Sequence, residues 1–242
     1  MIVPNEYKIV SNFAKESLLM VKPERIKTLK SLLRTGDRIL VLDGAVGTSI
    51  QESGLGADDF GGVNYEGCNE YLCVTRPDVI ADIHKKFLDA GADIIETNSF
   101  GSTSVVLAEY GLADQARRLN REAALIARRV ADEASNSEKT RFVAGSMGPT
   151  TKTISVTGGI NFDNLASSYY EQALGLIEGG VDILLLETGQ DVINVKAGLD
   201  GIDRAMAELE IEVAVAVQGT IEPMGTLLAG QDAEAFYISL SH

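Results

Sequence analysis

"AGADIIETNSF" (residues 90–100) and "GGVDILLLETGQ" (residues 179–190) follow one plan. In each segment a glycine ends a helical stretch, an aspartate begins an apolar run, and a Glu-Thr pair ends the run. Neither run alternates polar with apolar residues, which indicates strands of a parallel sheet buried on both faces. The repetition favours duplicated βα units.

The rest of the sequence continues this alternation of apolar runs and amphipathic stretches. It predicts five strands, at 38–43, 92–97, 141–146, 181–188 and 212–218. It predicts five helices between or after them, at 76–91, 111–134, 164–180, 191–209 and 232–242. Strands that alternate with helices build either a doubly wound sheet or a (β/α)8 barrel.

Polar residues at the ends of the predicted strands favour the barrel. In a barrel these positions meet at one mouth, whereas a doubly wound sheet spreads them along an edge. The residues are Asp43, Glu96 with Asn98, Ser146, Glu187 and Gln218. We therefore expect an α/β fold of the TIM-barrel type, incomplete, with about five of eight βα units. We expect a helical N-terminal extension (1–35) and a partial barrel domain (36–242).

Composition excludes several classes of function. The 242 residues carry a formal net charge of −14, which opposes binding to nucleic acid or an anionic membrane. No apolar run approaches the roughly 18 residues of a membrane span. The first forty residues lack the apolar core of a secretory signal. These features predict a cytoplasmic protein.

"RILVLDGAVGTSIQ" (38–51) takes a strand directly into a glycine-containing loop. It lacks the G-x-G-x-x-G and G-K-[ST] patterns of nucleotide-binding loops, and Asp43 would repel a phosphate. One interpretation is a tight turn that needs the backbone freedom of Gly44 and Gly47. The other is that Asp43 faces a substrate ammonium while N–H groups near Gly44 receive a carboxylate.

Other candidate residues leave more than one interpretation open. Glu96 and Glu187 end buried runs, so each carboxyl group is either hydrogen-bonded for structural reasons or used in chemistry. One chemical use is general acid–base catalysis by the pair. Loop 144–159 could bind phosphate through Lys152, act as a lid, or simply connect two elements. Cys68 and Cys73, the only cysteines, could be small apolar loop residues, a disulfide, or part of a zinc site.

Together these segments resemble a known family. "RILVLDGAVGTSIQ", "DAGADIIETNSFGSTS", "FVAGSMGPT", "DILLLETGQDVINVKAG" and "GTLLAGQDAEAFYISLSH" are similar in order and spacing to the homocysteine-binding domain of cobalamin-dependent methionine synthase. The resemblance runs from about residue 36 to the last residue. It implies a (β/α)8 barrel that binds homocysteine through Asp43, Gly44, Glu96, Asn98 and Glu187.

The resemblance also implies cofactors and partners. The family activates the homocysteine thiol on zinc held by three cysteines, in a "G-x-N-C" segment and a "G-G-C-C" pair, and methylcobalamin is carried on a separate domain. Neither cysteine motif occurs here, so no metal ligand is assigned, and we expect a chain truncated before them that does not methylate homocysteine alone. The alternatives are a non-catalytic module that binds amino acids or pairs with a missing barrel piece, and a zinc-free enzyme using Glu96 and Glu187.

Overall fold

The computed structural model describes residues 21–241, which form a parallel sheet covered by helices. The four strands lie side by side in chain order and all pairs are parallel. A doubly wound sheet reverses its strand order part-way, so the sequential order is that of a barrel wall. The strands are β1 (Ile94–Glu96), β2 (Phe142–Met147), β3 (Ile183–Gly189) and β4 (Ala214–Gly219).

The helices lie close to the predicted positions, and side chains cap several of them. Asn161, Asp191 and Asp232 each accept a backbone N–H in the first turn of the helix that follows. The helices are α1 (Pro23–Thr35), α2 (Val46–Glu52), α3 (Leu72–Thr75), α4 (Pro77–Asp89), α5 (Ser104–Leu107), α6 (Ala116–Ala134), α7 (Phe162–Glu178), α8 (Val192–Leu209) and α9 (Ala233–Leu240). Single 3₁₀ turns occur at Asn69–Tyr71, Ala108–Tyr110 and Ala113–Gln115.

Side chains that alternate along the strands divide the core in two. One set faces the helices and belongs to the largest cluster, with members such as Ile95, Val143, Leu184 and Leu186. The other set faces inward, and its members are Ile94, Phe142, Ala144, Ile183 and Leu185. Strands β1, β2 and β3 are therefore buried on both faces, as the unbroken apolar runs predict, whereas β4 at the edge of the sheet is partly exposed.

The predicted first strand (38–43) is much shorter than expected. Only Leu42 forms a ladder bridge, to Ile94 in β1. The N–H of Val41 instead donates to the carboxylate of Asp93 at 2.9 Å, and Arg38 pairs with the same carboxylate at 3.0 Å. Ile39 is 87% exposed, because no neighbouring strand covers the outer side of this segment in the described part of the chain.

The aspartates that begin the two repeated segments have the same structural role. Asp93 accepts the N–H of Val41, and Asp182 accepts the N–H of Val143 at 2.9 Å. Each carboxylate therefore satisfies a backbone donor of the preceding strand and is itself held by basic side chains. The repeated aspartate serves strand pairing at the amino ends of the strands.

Helix α1 closes the amino-terminal end of the sheet. Leu29 is fully buried in the inward-facing cluster, and Arg25 donates to the Asp182 carboxylate at 2.6 Å. Arg128 from α6 donates to the other oxygen of Asp182 at 2.7 Å. Of the predicted extension (1–35), residues 1–20 lie outside the described residues, and the remainder packs as part of the core.

Candidate functional site

The carboxyl ends of the strands surround an open cavity of about 300 Å³. Three of the predicted site residues line it, namely Glu96, Asn98 and Glu187. Asp43 and Gly44 lie directly before the lining loop 45–47. The lining residues are Ala45, Val46, Gly47, Asn69, Glu70, Glu96, Thr97, Asn98, Ser99, Phe100, Ser146 and Glu187.

Asp43 is held against the cavity wall by the neighbouring strand. Its Oδ2 accepts the backbone N–H of Glu96 at 3.0 Å, while its Oδ1 is buried without a hydrogen-bond partner among residues 21–241. Burial, with a smaller contribution from the charge of Glu187, raises the pKa of the Asp43 carboxyl to about 7. A buried carboxylate oxygen without a donor is costly, so this position favours a proton or a bound cation.

Glu96 and Glu187 add two further carboxyl groups to the same site. Burial raises the pKa of Glu96 to about 8, and the charges of Glu187 and Asp43 raise it further in the same direction. Burial also raises the pKa of Glu187, although the Ser146 hydroxyl, which donates to its Oε1, opposes the change. Three carboxyl groups therefore interact across one cavity, which is the pattern expected where a cationic group binds.

The lining contains nothing that would neutralise these acids. Among the described residues, those that line the cavity include no lysine, arginine or histidine. The charge of the site is therefore suited to an ammonium group and opposes a phosphate.

Asn98 joins two loops of the wall. Its side-chain amide donates to the backbone carbonyl of Asn69 at 2.7 Å, and its backbone carbonyl accepts the Cys73 S–H, with the oxygen and sulfur 3.6 Å apart. A second link comes from Glu70, whose Oε1 accepts the N–H of Gly101 at 2.8 Å. These contacts fix the loop after β1 against the turn at Asn69–Tyr71.

Glu70 is a site residue that the sequence analysis did not identify. Burial raises its pKa, and it lines the cavity with the other carboxyl groups. The sequence signal available was an acidic residue next to Asn69, between the two cysteines of "CNEYLC". The local pattern could not show that this turn folds back onto the mouth of the sheet.

The two cysteines behave as buried structural residues. Both are free thiols, so the disulfide alternative is not formed. Burial raises the pKa of Cys68 to about 11 and that of Cys73 to about 12, which disfavours the thiolate that a metal requires. Within residues 21–241, no group of three or more His, Cys, Asp or Glu side chains could hold a metal ion. The donor set present here therefore does not fit zinc.

The loop after β2 is anchored to helix α8. Asp191 accepts both the N–H and the hydroxyl of Ser155, at 3.0 and 2.6 Å, and Asn194 accepts the N–H of Ile154 at 2.9 Å. The same Asp191 caps the first turn of α8. A carboxylate therefore occupies the helix start where a phosphate would bind, which favours the simple connecting role for residues 144–159.

Comparison with known proteins identifies the family. The family model described as homocysteine S-methyltransferase matches residues 40–242. The chain belongs to this family. It is 44% identical over 205 residues to the methionine synthase of Mycobacterium leprae, and 43% identical over 198 residues to that of Mycobacterium tuberculosis. The matched regions cover 84% and 82% of this chain but only 17% and 16% of those two proteins.

Solved structures support the fold. The metallated form of the homocysteine methyltransferase MmuM from Escherichia coli superposes with a TM-score of 0.71 at 20% identity. That match covers 88% of this chain and 73% of the other. The apo form of the same protein gives a TM-score of 0.63 at 20% identity. The prediction of a TIM-barrel-type α/β fold is confirmed, and so is the family resemblance.

No helix within residues 21–241 combines the length and the hydropathy that a membrane span needs.

Proposed function

We propose that this chain binds homocysteine and presents its thiol for methylation, as part of a homocysteine S-methyltransferase that makes methionine. The observation that carries the proposal is the buried Oδ1 of Asp43, which lacks a partner among the described residues beside a cavity lined by carboxyl groups. An ammonium group can donate to that oxygen and to the neighbouring carboxylates at the same time. The family to which the chain belongs supports homocysteine as the source of that ammonium.

Each predicted site residue has a distinct part in this proposal. Asp43 and Glu187 accept from the ammonium, and Glu96 adds the third negative charge. The exposed backbone at Gly44 donates to the substrate carboxylate. A Cβ at that position would lie 3.2 Å from the ring of Phe87, so a side chain there would crowd the loop. Asn98 fixes the wall against which the substrate lies.

Activation of the thiol requires groups beyond those described. Residues 21–241 hold no donor set that fits zinc, and we derive no zinc-dependent step from them. We propose that the zinc ligands and the methyl donor, methylcobalamin on a separate domain, come from protein outside these residues. The isolated chain is then expected to bind homocysteine without methylating it. We also propose a cytoplasmic location, where this substrate and its partner domains would meet the chain.

Isothermal titration with homocysteine and two analogues tests the binding mode. The chain contains no tryptophan, so calorimetry suits it better than tryptophan fluorescence. 4-Mercaptobutyrate lacks the ammonium and 3-mercaptopropylamine lacks the carboxylate. We expect homocysteine to bind most tightly and 4-mercaptobutyrate to lose the most affinity, because the site is lined by acids. Equal affinity for homocysteine and 4-mercaptobutyrate would refute the role of the carboxyl groups.

A second candidate function is pairing with another β/α piece. Apolar side chains are exposed at both edges of the described sheet: Val41 is 53% exposed on the first edge and Val215 is 38% exposed on β4. Exposed apolar sheet edges are usually covered in soluble proteins. Light scattering on the purified chain tests this candidate. A monodisperse monomer that remains soluble at high concentration would count against it.

A further inference from the structure

Strand β3 contains an extra residue at the cavity. Leu186 pairs with Val217, and the next pair is Gly189 with Gly219. Two residues of β3, Glu187 and Thr188, therefore lie opposite the single residue Gln218. This arrangement is a β-bulge, a feature that bends a strand and changes the direction of its side chains.

The bulge places Thr188 in a strained conformation. Its φ of 56° lies in the left-handed region, which β-branched residues rarely adopt. Contacts on both sides hold it there. The pairing of Leu186 precedes it, and the Gly189 carbonyl accepts the N–H of Thr220 at 3.0 Å after it. Strain of this kind persists where the surrounding structure imposes it, and it is concentrated at functional sites.

We propose that Thr188 is a positioning residue, whose left-handed backbone absorbs the extra residue of the bulge and so directs the Glu187 carboxylate into the cavity. The inference rests on the proposed function, because it assigns a use to the direction of Glu187. The backbone conformation carries this role and the hydroxyl of Thr188 does not.

The surroundings of Glu187 show why its direction needs to be fixed. On one side the Ser146 hydroxyl from β2 donates to Oε1. Asp43 and Glu96 are also near enough for the charge of Glu187 to raise the pKa of both. A carboxylate that turned away would leave the ammonium with fewer acceptors. It would also remove one of the charges that acts on Glu96.

Substitutions at residue 188 separate the backbone from the side chain. Asparagine and glycine tolerate the left-handed region, whereas proline fixes φ near −65°. We expect Thr188→Asn and Thr188→Gly to keep homocysteine affinity within about twofold of the unchanged protein. We expect Thr188→Pro to weaken it at least tenfold and to shift the pH midpoint of binding. Glu210, with a φ of 53° and a place at the end of α8 away from the cavity, is the matched control. Glu210→Pro should leave the affinity and the midpoint unchanged.

A measurement without ligand separates this proposal from the proposed function. Carbon-13 NMR titration of the glutamate carboxyl groups reports the pKa of Glu96, which Glu187 raises. Thr188→Pro should lower that pKa, and Thr188→Asn should not. A folded Thr188→Pro variant with unchanged affinity and an unchanged Glu96 titration would overturn the proposal. So would a tenfold loss in folded Thr188→Asn or Thr188→Gly, because the side chain would then act directly. Absence of homocysteine binding in the unchanged protein would refute the proposed function alone.

Discussion

Asp43 and Glu96 are joined by a hydrogen bond in which the Asp43 Oδ2 accepts the Glu96 backbone N–H at 3.0 Å. The bond holds one oxygen of Asp43 in the wall, and the other oxygen has no hydrogen-bond partner among the described residues. It also brings two carboxyl groups with raised pKa values together.

Replacing Asp43 tests the role of its charge in binding. The amide oxygen of Asp43→Asn can still accept the Glu96 N–H, so the variant removes charge while it keeps that contact. We expect homocysteine affinity to fall at least tenfold, measured by calorimetry, with little change in melting temperature. Asp58→Asn, an exposed site in the following loop, is the control and should bind as the unchanged protein does. Equal affinities for both variants would contradict the ammonium role of Asp43.

The affinity for homocysteine should rise with pH. The pKa values of Asp43 and Glu96 are raised to about 7 and about 8, so both groups hold protons in the free protein at pH 6. An ammonium binds the ionised groups, so binding releases protons and tightens by roughly tenfold or more between pH 6 and 8. Calorimetry in buffers of different ionisation enthalpy measures the protons released. An affinity that is constant or falls over this range would contradict the proposed site.

The same carboxyl groups should destabilise the free protein at high pH. The folded-state pKa of Glu96 lies above its ordinary value, so the folded state binds more protons than the unfolded state between about pH 4 and 8. Stability is therefore lost as pH rises. Glu96→Gln should increase the free energy of unfolding at pH 8 by roughly 1–3 kcal/mol and change it little at pH 4. Exposed Glu52→Gln provides the control in urea unfolding.

His84 should make the protein sensitive to acid. It is fully buried in α4, and both ring nitrogens lack partners among the described residues. Burial lowers its pKa to about 4, so the unfolded state binds more protons between pH 4 and 6.5. Its contribution is present above about pH 6.5 and is lost as pH falls toward 4.

A leucine substitution isolates that contribution. We expect the unfolding free energy of the unchanged protein to fall by about 2 kcal/mol more than that of His84→Leu between pH 7 and 5. Both proteins contain the acidic cavity, so the opposite pH dependence that it gives to the unfolding free energy cancels in the comparison. Parallel pH profiles for the two proteins would show that His84 does not control acid stability.

The buried carboxylate of Asp182 should be essential to stability. It accepts Arg25, Arg128 and the Val143 N–H, and it is fully buried. Asp182→Asn should cost about 3–5 kcal/mol, because it removes the fully buried counter-charge of two buried guanidinium groups and leaves them paired with the half-exposed Asp132. Asp89→Asn, which breaks the exposed pair with Lys85, should change the unfolding free energy by about 0.5 kcal/mol or less. Similar losses in both variants would contradict the role of burial.

Sequence periodicity predicted the sheet and helices well, because buried parallel strands and amphipathic helices leave strong local patterns. It also predicted that Glu96 and Glu187 would lie at the same end of the barrel, since the carboxyl ends of parallel strands are all on one side of the sheet. The functional roles of Asp43, Gly44, Glu96, Asn98 and Glu187 stay predictions. The short first strand was not predicted, because a local apolar run does not show that the segment pairs with β1 alone among the described residues.

Two other features could not be found from local patterns. Glu70 reaches the cavity only because its turn packs against the loop after β1. The bulge at Thr188 depends on which residues of β4 pair with β3, and an apolar run followed by Glu-Thr does not contain that information. Both arise from contacts between segments that are far apart in the chain.

The position of α1 has a practical consequence for dissecting the protein. A shortened version beginning at residue 40, where the family match starts, would lack Arg25 and Leu29. Arg128 would then be the remaining guanidinium bound to Asp182 among the residues described, and the inward-facing side chains would meet water at that end. A loss of binding in such a version would reflect the damaged scaffold and would be mistaken for an inactive site. Expression designs should therefore keep the helix that sequence similarity alone would discard.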